Sequence, residues 1–233
     1  MTRVLILGAT GRTGTAVLEN LPADVTTIAA LRAQHDVHRL SSPGNAITHV
    51  TVDITDLDSL RNALNDVTVV VNAVRLRGDI HETELIDLHE RIVTAGEQAG
   101  GGSPRIVTVG GAGALRLPEG RRFWESPAFP QATLPRGRAH AALRDHFETV
   151  HAEDARAYLI PPPTYDPDGA ATGRWERFAP SSDESAFTTR AISYADFGAA
   201  VADTVMNGVG GTHLVAWPLI SEIQDARETR HRR

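Results

Sequence analysis

The sequence contains neither cysteine nor lysine: none of its 233 residues is a cysteine, and all 23 basic residues are arginines. The absence of thiols excludes disulfide bonds, thiolate nucleophiles and thiolate metal sites. It also agrees with a reducing compartment, so we expect a cytoplasmic location. Without lysine, no side-chain ammonium group can donate a proton or lower the pKa of a neighbouring catalytic residue.

Long apolar runs and an excess of positive charge are missing as well. No stretch approaches the roughly 18 consecutive apolar residues of a membrane span, so we expect no membrane partner. The formal net charge of −6 does not favour nucleic acid. The length of 233 residues suits one α/β domain over residues 1–233. A small molecule is the expected partner, and a monomer and a homodimer both stay open.

A glycine-rich turn near the N-terminus organises the chain. An apolar run over residues 4–7 precedes it, and a helix-compatible segment over residues 15–20 follows. This order predicts a strand, a phosphate-binding loop and a helix whose N-terminus faces an anion. The first glycine permits the turn, the second admits a pyrophosphate, and the third allows close packing of the helix on the strand. The predicted cofactor contacts here are Gly8, Thr10, Gly11, Arg12, Thr13 and Gly14.

Two arginines bear on the choice of cofactor. Arg32 ends a predicted strand over residues 25–31, where an NAD-binding protein would usually carry an acidic residue for the ribose 2′-hydroxyl. Arginine there, with Arg12 as a second cation, favours the 2′-phosphate of NADP(H). Two solvated surface arginines are the alternative interpretation. Later strand ends supply the predicted adenine and ribose contacts, which are Asp53, Ile54, Asn72, Ala73 and Val74.

A second glycine-rich turn follows a predicted strand over residues 104–109, and three prolines stop the sixth predicted strand. Open α/β sheets bind ligands beyond the carboxyl ends of their strands, so both points are predicted to border the nicotinamide. The predicted cofactor contacts are Gly110, Gly111 and Pro162, and the predicted substrate contacts are Gly113 and Thr164. Tyr165, the next residue, is a further candidate for the substrate.

Residues 114–137 form a long connection without periodicity, rich in proline, arginine and aromatic residues. Such loops in compact domains tend to be lids or binding loops. Its aromatic side chains are predicted either to wall a flat substrate whose acidic groups meet the arginines, or to anchor the loop to the core. These side chains are Phe123, Trp124 and Phe129.

The C-terminal part is predicted to cover the site. Residues 161–192 form a small lobe, in which a short strand pair over residues 172–192 encloses Trp175 and Phe178. A capping box that begins at Ser193 opens the last helix. The basic tail at residues 227–233 is expected to be a solvated end.

In this order the motifs resemble those of atypical short-chain dehydrogenases/reductases, in the compact NAD(P)H-binding group with NmrA-like proteins, biliverdin-IXβ reductase and bacterial NADH-flavin reductases. The segments that carry the resemblance are residues 8–14, 31–32, 53–56, 110–115, 161–165, 169 and 172–173. The resemblance implies an α/β fold with a Rossmann-type doubly wound parallel sheet and a small C-terminal lobe that covers the substrate. It also implies NADP(H) as the cofactor.

The chain departs from the wider superfamily at the catalytic pair. A typical short-chain dehydrogenase uses Tyr-x-x-x-Lys, in which lysine lowers the tyrosine pKa so that the hydroxyl can pass a proton. None of the three tyrosines is followed by such a lysine, and glycines at residues 110–113 occupy the serine position. Alcohol–ketone chemistry by that route is therefore excluded.

A hydride can still pass to a flat conjugated acceptor, because the proton can come from solvent. We therefore expect an NADPH-dependent reductase of a flavin, quinone, tetrapyrrole or polyketide-like substrate. His140 and Tyr165 are the predicted catalytic residues. His140 lies on a predicted helix over residues 138–144, where it would donate a proton or hold a substrate oxygen. A histidine on the helix surface is the alternative.

Two other functions stay open. The NmrA-like resemblance allows a redox sensor that binds NADP(H) without turnover. The same scaffold allows a non-redox isomerase, cyclase or dehydratase, with His140 and Tyr165 as acid and base. No metal site is predicted, because the ten histidines include no pair at ligand spacing with a third ligand nearby. His81 and His89, on a predicted helix over residues 79–100, are expected at the surface.

Overall fold

The computed structural model describes residues 2–40, 47–150 and 156–219, so the predicted tail at residues 227–233 lies outside the described part. The strands are β1 Arg3–Leu7, β2 Thr26–Leu31, β3 Ile47–Thr51, β4 Val69–Asn72, β5 Arg105–Val109, β6 Arg156–Ile160, β7 Thr164–Asp166, β8 Glu176–Phe178, β9 Ala191–Ser193 and β10 Gly211–Ala216. The helices are α1 Arg12–Asn20, α2 Leu57–Ala63, α3 Glu84–Gln98, α4 Leu134–Thr149 and α5 Tyr194–Met206. None of these helices is long and apolar enough to cross a bilayer.

An eight-stranded sheet in the order β3-β2-β1-β4-β5-β6-β10-β8 forms the centre of the molecule. Its neighbouring strands are parallel except for β8, which runs antiparallel to β10. This arrangement confirms the predicted α/β, doubly wound fold. The strand order reverses at β1, which pairs with β2 on one side and β4 on the other. A crevice at the carboxyl ends of β1 and β4 is where such sheets bind ligands.

Both faces of the sheet are covered, because successive residues of each strand point to opposite faces. On one face Ile6 of β1 packs with Val17 of α1 and Phe197 of α5. On the other face Leu5 packs with Ile92 of α3. Full burial of each such side chain contributes about 1.5–3 kcal/mol. The continuous apolar runs of the central strands follow from this double coverage.

The predicted strand pair within residues 172–192 is wrong. Phe178 of β8 lies opposite Leu214 at the edge of the large sheet, and β9 pairs instead with β7. The Asp196 carboxylate, at the start of α5, accepts hydrogen bonds from the backbone N–H groups of Thr172 and Gly173, both at 2.9 Å. This contact holds the first part of the segment against α5, so a local hairpin does not form.

The connection over residues 114–137 is anchored, and its last residues belong to α4. Ala114 and Leu115 are fully buried. The buried Arg144 guanidinium donates to the Ala114 carbonyl at 2.8 Å and to both carboxylate oxygens of Glu184 at 2.7 Å. One ion pair therefore ties α4, the start of the connection and the C-terminal lobe together.

His89 does not lie at the surface as predicted, whereas His81 does. The His89 ring is buried between α3 and α4, with its centroid 4.6 Å from that of Phe147. Burial lowers the pKa of His89 to about 4, so the ring is neutral near pH 7. His89 is four residues after Leu85 and three before Ile92, so the helical spacing itself places it on the buried face.

Candidate functional site

The glycine loop after β1 is shaped by close backbone contacts. Gly8 has φ +81°, and a Cβ there would lie 2.6 Å from the Ala73 carbonyl oxygen at the end of β4. A Cβ on Gly14 would lie 2.2 Å from the Gly8 carbonyl oxygen. A Cβ on Gly11 would meet only that oxygen, at 3.1 Å. Packing therefore requires glycine at positions 8 and 14, while position 11 faces outward and is exposed.

The N-terminus of α1 fits an anionic ligand. Gly11 is its N-cap, no side chain caps the helix, and the first turn holds no acidic residue. The first backbone N–H groups of a helix have no partner within the helix, and together they form its positive end. A pyrophosphate group is the kind of ligand that satisfies such donors. Thr10 and Thr13 flank this end of the helix, so these residues fit the predicted nucleotide.

The two arginines predicted to meet a 2′-phosphate lie on the same side of the molecule. Arg32 directly follows β2 and is exposed. Arg12 is the first residue of α1, and its guanidinium carbon lies 5.9 Å from the centroid of the Tyr194 ring. Within the described ranges neither arginine forms an ion pair with a carboxylate. Both cations are thus available for an anion.

The residues predicted to contact adenine and ribose lie at the ends of β3 and β4. The Asp53 carboxylate accepts hydrogen bonds from the Thr55 backbone and hydroxyl at 2.9 and 2.7 Å, which hold its pKa below the ordinary value. Ile54 lines a cavity of about 290 Å³ beside α3. Buried Asn72 accepts from the Val74 N–H at 3.3 Å. Both Thr55 contacts are to Oδ1 of Asp53, so its other carboxylate oxygen, Oδ2, keeps its lone pairs for a ligand N–H group.

A larger cavity of about 370 Å³ lies beyond the carboxyl ends of β4, β5 and β6. It brings together many residues that sequence reasoning assigned to separate roles. The predicted residues that line it are Thr13, Ala73, Val74, Gly110, Gly111, Gly113, Phe123, Phe129, His140, Pro162 and Tyr165. Trp124 and Thr164 do not line it: the Trp124 ring lies under the Arg138 guanidinium at 5.1 Å, and Thr164 is exposed.

Two of the three aromatic residues of the connection are anchored in the core and also line the cavity. Phe123 and Phe129 are buried and meet edge to face, with ring centroids 5.5 Å apart. They also line the cavity. Gly137 makes their approach to α4 possible, because a Cβ there would lie 2.6 Å from the Phe129 ring. The two phenylalanines therefore anchor the connection and form one wall of the cavity.

His140 is held by a tyrosine from β6. Its Nδ1 lies 3.1 Å from the Tyr158 hydroxyl, which also donates to the His140 backbone carbonyl at 3.2 Å. A hydroxyl has one proton, so both contacts are satisfied only when Nδ1 carries a proton and donates to the Tyr158 oxygen. Nε2 then has a free lone pair. Because His140 lines the cavity, this geometry favours a hydrogen-bond acceptor over the predicted proton donor.

The environment keeps His140 uncharged. Burial of the ring, with the nearby charge of Arg136, lowers its pKa to about 4. Gly111 contributes to this enclosure, because its Cα lies so close to the ring that a Cβ would come within 2.5 Å of His140 Cδ2. Near pH 7 the imidazole is therefore neutral.

We expect the His140 ring to keep one proton, on Nδ1, from pH 8 down to about pH 5. The unfolded chain takes up a second proton near the ordinary value of 6.5, whereas the folded chain does so only near 4, so this group weakens folding as pH falls through that window. Nitrogen–proton correlation spectra of the ring report both tautomer and charge. Tyr158→Phe serves as the control that removes the acceptor for Nδ1. A midpoint near 6.5 for His140 would contradict the account.

The Tyr165 side chain is held by contacts with two other residues. Its hydroxyl lies 2.9 Å from Thr13 Oγ1, and its ring stacks on Tyr194 with centroids 3.7 Å apart. Burial raises the pKa of Tyr165 above its ordinary value. The hydroxyl is therefore a poor proton donor at neutral pH. The geometry favours Tyr165 as a wall that joins the C-terminal lobe to the cofactor loop.

Some cavity residues were not singled out from the sequence. Arg75 and Tyr194 line the cavity, and Tyr158 orients His140 from behind it. All five residues of β6 are buried, so no local signal distinguishes Tyr158 from the core residues beside it. Arg136 also lines the cavity and belongs to the predicted loop arginines. Within the described ranges, no three His, Asp or Glu side chains form a cluster that could hold a metal ion.

Solved structures with similar folds agree with this architecture. A candidate epimerase from Bacteroides thetaiotaomicron matches with a TM-score of 0.75 at 21% identity, covering 94% of this chain and 98% of that one. A candidate NADH-flavin reductase from Streptococcus pneumoniae matches with a TM-score of 0.71 at 20% identity, covering 94% of this chain and 100% of that one. At these identities the likeness establishes the fold.

Comparisons of sequence identify the family of the chain. An uncharacterized protein from Bacillus subtilis, YwnB, is 24% identical over 204 residues, which cover 86% of this chain and 91% of that protein. A family model described as NAD(P)H-binding matches residues 8–207. That span begins at the first glycine of the loop after β1 and ends just beyond α5, so it includes the loop, the crevice and the larger cavity. The chain belongs to the NAD(P)H-binding family.

Proposed function

We propose that this protein is an NADPH-dependent reductase of a flat conjugated substrate. The observation that carries the proposal is the larger cavity: it adjoins the cofactor loop at Thr13, has a glycine floor, and has a phenylalanine wall. A planar ring system suits such a space, because stacking needs area and few polar contacts. The fold likeness to a candidate NADH-flavin reductase is in line with this substrate class.

The chain's own groups would hold the cofactor at several points. The free N–H groups at the start of α1 meet the pyrophosphate, and Arg32 and Arg12 meet a 2′-phosphate. Ala73, Gly110 and Pro162 line the larger cavity and would border the nicotinamide ribose and ring. When bound, a reduced nicotinamide supplies the hydride.

Positioning is the main task left to the protein. Gly110 and Gly111 present bare backbone to the cavity, so the nicotinamide ring could lie flat against it. His140 Nε2 accepts a hydrogen bond from an N–H or O–H group of the substrate and fixes its orientation. Since His140 is neutral and Tyr165 is tied to Thr13, the proton that completes reduction comes from solvent.

A redox sensor that binds the cofactor without turnover is the second candidate. The observation in its favour is that neither of the two predicted catalytic rings is a good proton donor near pH 7, because His140 is neutral and the pKa of Tyr165 is raised. A sensor needs no proton donor, whereas a reductase without one depends on an acceptor that solvent can protonate. Turnover with a conjugated acceptor separates the two candidates.

Arg32→Glu is expected to weaken NADPH binding by about 10- to 100-fold, the loss of a charge-assisted contact to phosphate. NADH lacks the 2′-phosphate, so its affinity is expected to change by less than about three-fold. Titration of both cofactors by the quenching of protein fluorescence measures the two values on one sample. Equal weakening of NADPH and NADH would contradict the assignment of Arg32 to the 2′-phosphate.

The reductase itself is tested by the absorbance of NADPH at the nicotinamide band. Purified protein is mixed with NADPH and with flavins, quinones and linear tetrapyrroles in turn, and each rate is compared with a protein-free control. We expect a protein-dependent rate with at least one conjugated acceptor. Binding of NADPH without consumption across the panel would favour the sensor.

A further inference from the structure

The charges that line the larger cavity are of one sign. Arg75, just beyond β4, and Arg136, in the first turn of α4, both line it, and among the residues that the structure describes no aspartate or glutamate does. The whole chain carries a net charge of −6, so this local excess of cations runs against its overall balance. A cleft lined by one sign of charge attracts ligands of the other sign.

Neither arginine has a partner in the part of the chain that the structure describes. No ion pair joins either guanidinium to a carboxylate. Arg136 is half-buried, and burial together with the charge of Arg75 lowers its pKa. By contrast, Arg144 on the same helix is fully paired with Glu184. Arg75 is exposed and Arg136 is half-buried, so both guanidinium groups are accessible to a ligand in the cavity, and an anion between them would offset the repulsion of the two charges.

The backbone at the start of α4 adds to the positive charge at the cavity. Arg136 is the third residue of α4, whose first turn contains no acidic residue and whose N-cap makes no side-chain hydrogen bond. A helix N-terminus carries partial positive charge, and acidic residues are favoured there. Here an arginine occupies that turn, and Arg136 and Gly137 at the start of the helix line the cavity. Side chains and backbone therefore present positive charge to the same space.

We propose that the substrate carries an anionic group, a carboxylate, phosphate or sulfonate, which is held between Arg75 and Arg136. The planar part of the substrate then lies along the wall formed by Phe123 and Phe129, within reach of His140. This inference rests on the proposed function for the flat ring, but the anion site itself is tested by binding. The cofactor's own phosphates are the competing occupant.

The test uses pairs of planar molecules that differ by one anionic group: FMN with riboflavin, and 1,2-naphthoquinone-4-sulfonate with 1,2-naphthoquinone. Their dissociation constants are measured by fluorescence quenching on the protein saturated with NADP⁺. The same pairs are then compared as acceptors for NADPH oxidation. The variants are Arg136→Gln and Arg75→Gln. Arg138→Gln is the matched control, because Arg138 lies on the same helix but is exposed, stacks on Trp124 and does not line the cavity.

We expect the wild-type protein to bind the anionic member of at least one pair more tightly, and each cavity variant to reduce that preference by about ten-fold. The control variant keeps the preference. The proposal is overturned if neither pair shows a preference for the anion, or if Arg136→Gln weakens NADP⁺ binding and leaves the preference intact. If the wild-type protein prefers the anionic member and each cavity variant reduces that preference, but NADPH is never consumed, the reductase proposal is wrong and the anion site is supported.

Discussion

The Gly11→Asp variant is expected to lose cofactor affinity by at least about 100-fold while keeping its fold. Gly11 is the N-cap of α1, and a Cβ there meets only the Gly8 carbonyl oxygen, at 3.1 Å. Aspartate is among the best N-cap residues, so the helix itself is not weakened. The same carboxylate, however, occupies the donors and the positive potential that a pyrophosphate needs.

Two measurements on one sample separate binding from folding. Calorimetric titration with NADPH gives the affinity, and urea unfolding gives the free energy of unfolding. Gly11→Asn is the control, since it can cap the helix without a negative charge. The opposite pattern is expected for Gly14→Ala, whose Cβ would lie 2.2 Å from the Gly8 carbonyl oxygen and so destabilise the fold. Wild-type affinity in Gly11→Asp would show that the pyrophosphate does not bind here.

Glu184→Gln is expected to lower the free energy of unfolding by about 3–5 kcal/mol, because it leaves the buried charge of Arg144 with only the partly exposed Glu148 as a counter-ion. The Arg144 side chain is 0% exposed and that of Glu184 1% exposed. Glu148→Gln is the matched control. Its carboxylate also meets Arg144, at 3.1 Å, but is 34% exposed, so we expect a loss of less than about 1 kcal/mol.

The same pair makes stability depend on pH. Burial alone raises the pKa of Glu184, but hydrogen bonds from Arg144 and from the Arg116 backbone outweigh it and hold the pKa below the ordinary value of 4.5. The contribution is therefore complete above that value and is lost as pH falls through the lowered pKa of the folded state. Urea unfolding between pH 7 and 3 measures this loss. An acid dependence identical in Glu184→Gln and wild type would contradict it.

Features whose cause is local in sequence could be predicted. The spacing of Gly8, Gly11 and Gly14 encodes a turn between a strand and a helix, and the alternation of strands with helices indicates a parallel α/β sheet. The position of Arg32 after β2 follows from the same pattern. Each of these depends on residues that are close together in the chain.

Features that depend on distant pairs could not be predicted. His140 was found from its helix, but its tautomer depends on Tyr158, 18 residues away on a strand. Arg75 and Arg136 become neighbours only because the ends of β4 and α4 meet at one cavity. The sequence predicts a short strand pair over residues 172–192, whereas the structure binds Thr172 to Asp196, 24 residues away in the chain. Hydrophobic periodicity carries no information on such contacts.

Anaerobic stoichiometry tests the central claim most directly. One equivalent each of NADPH and FMN is mixed without oxygen, and the nicotinamide and flavin absorbance bands are followed together, with and without a catalytic amount of protein. The account predicts that the protein accelerates the loss of both bands in a one-to-one ratio and that Gly11→Asp removes the acceleration. If NADPH binds but neither band changes faster than in the protein-free sample, with FMN and with the quinone and tetrapyrrole acceptors alike, the reductase assignment is wrong.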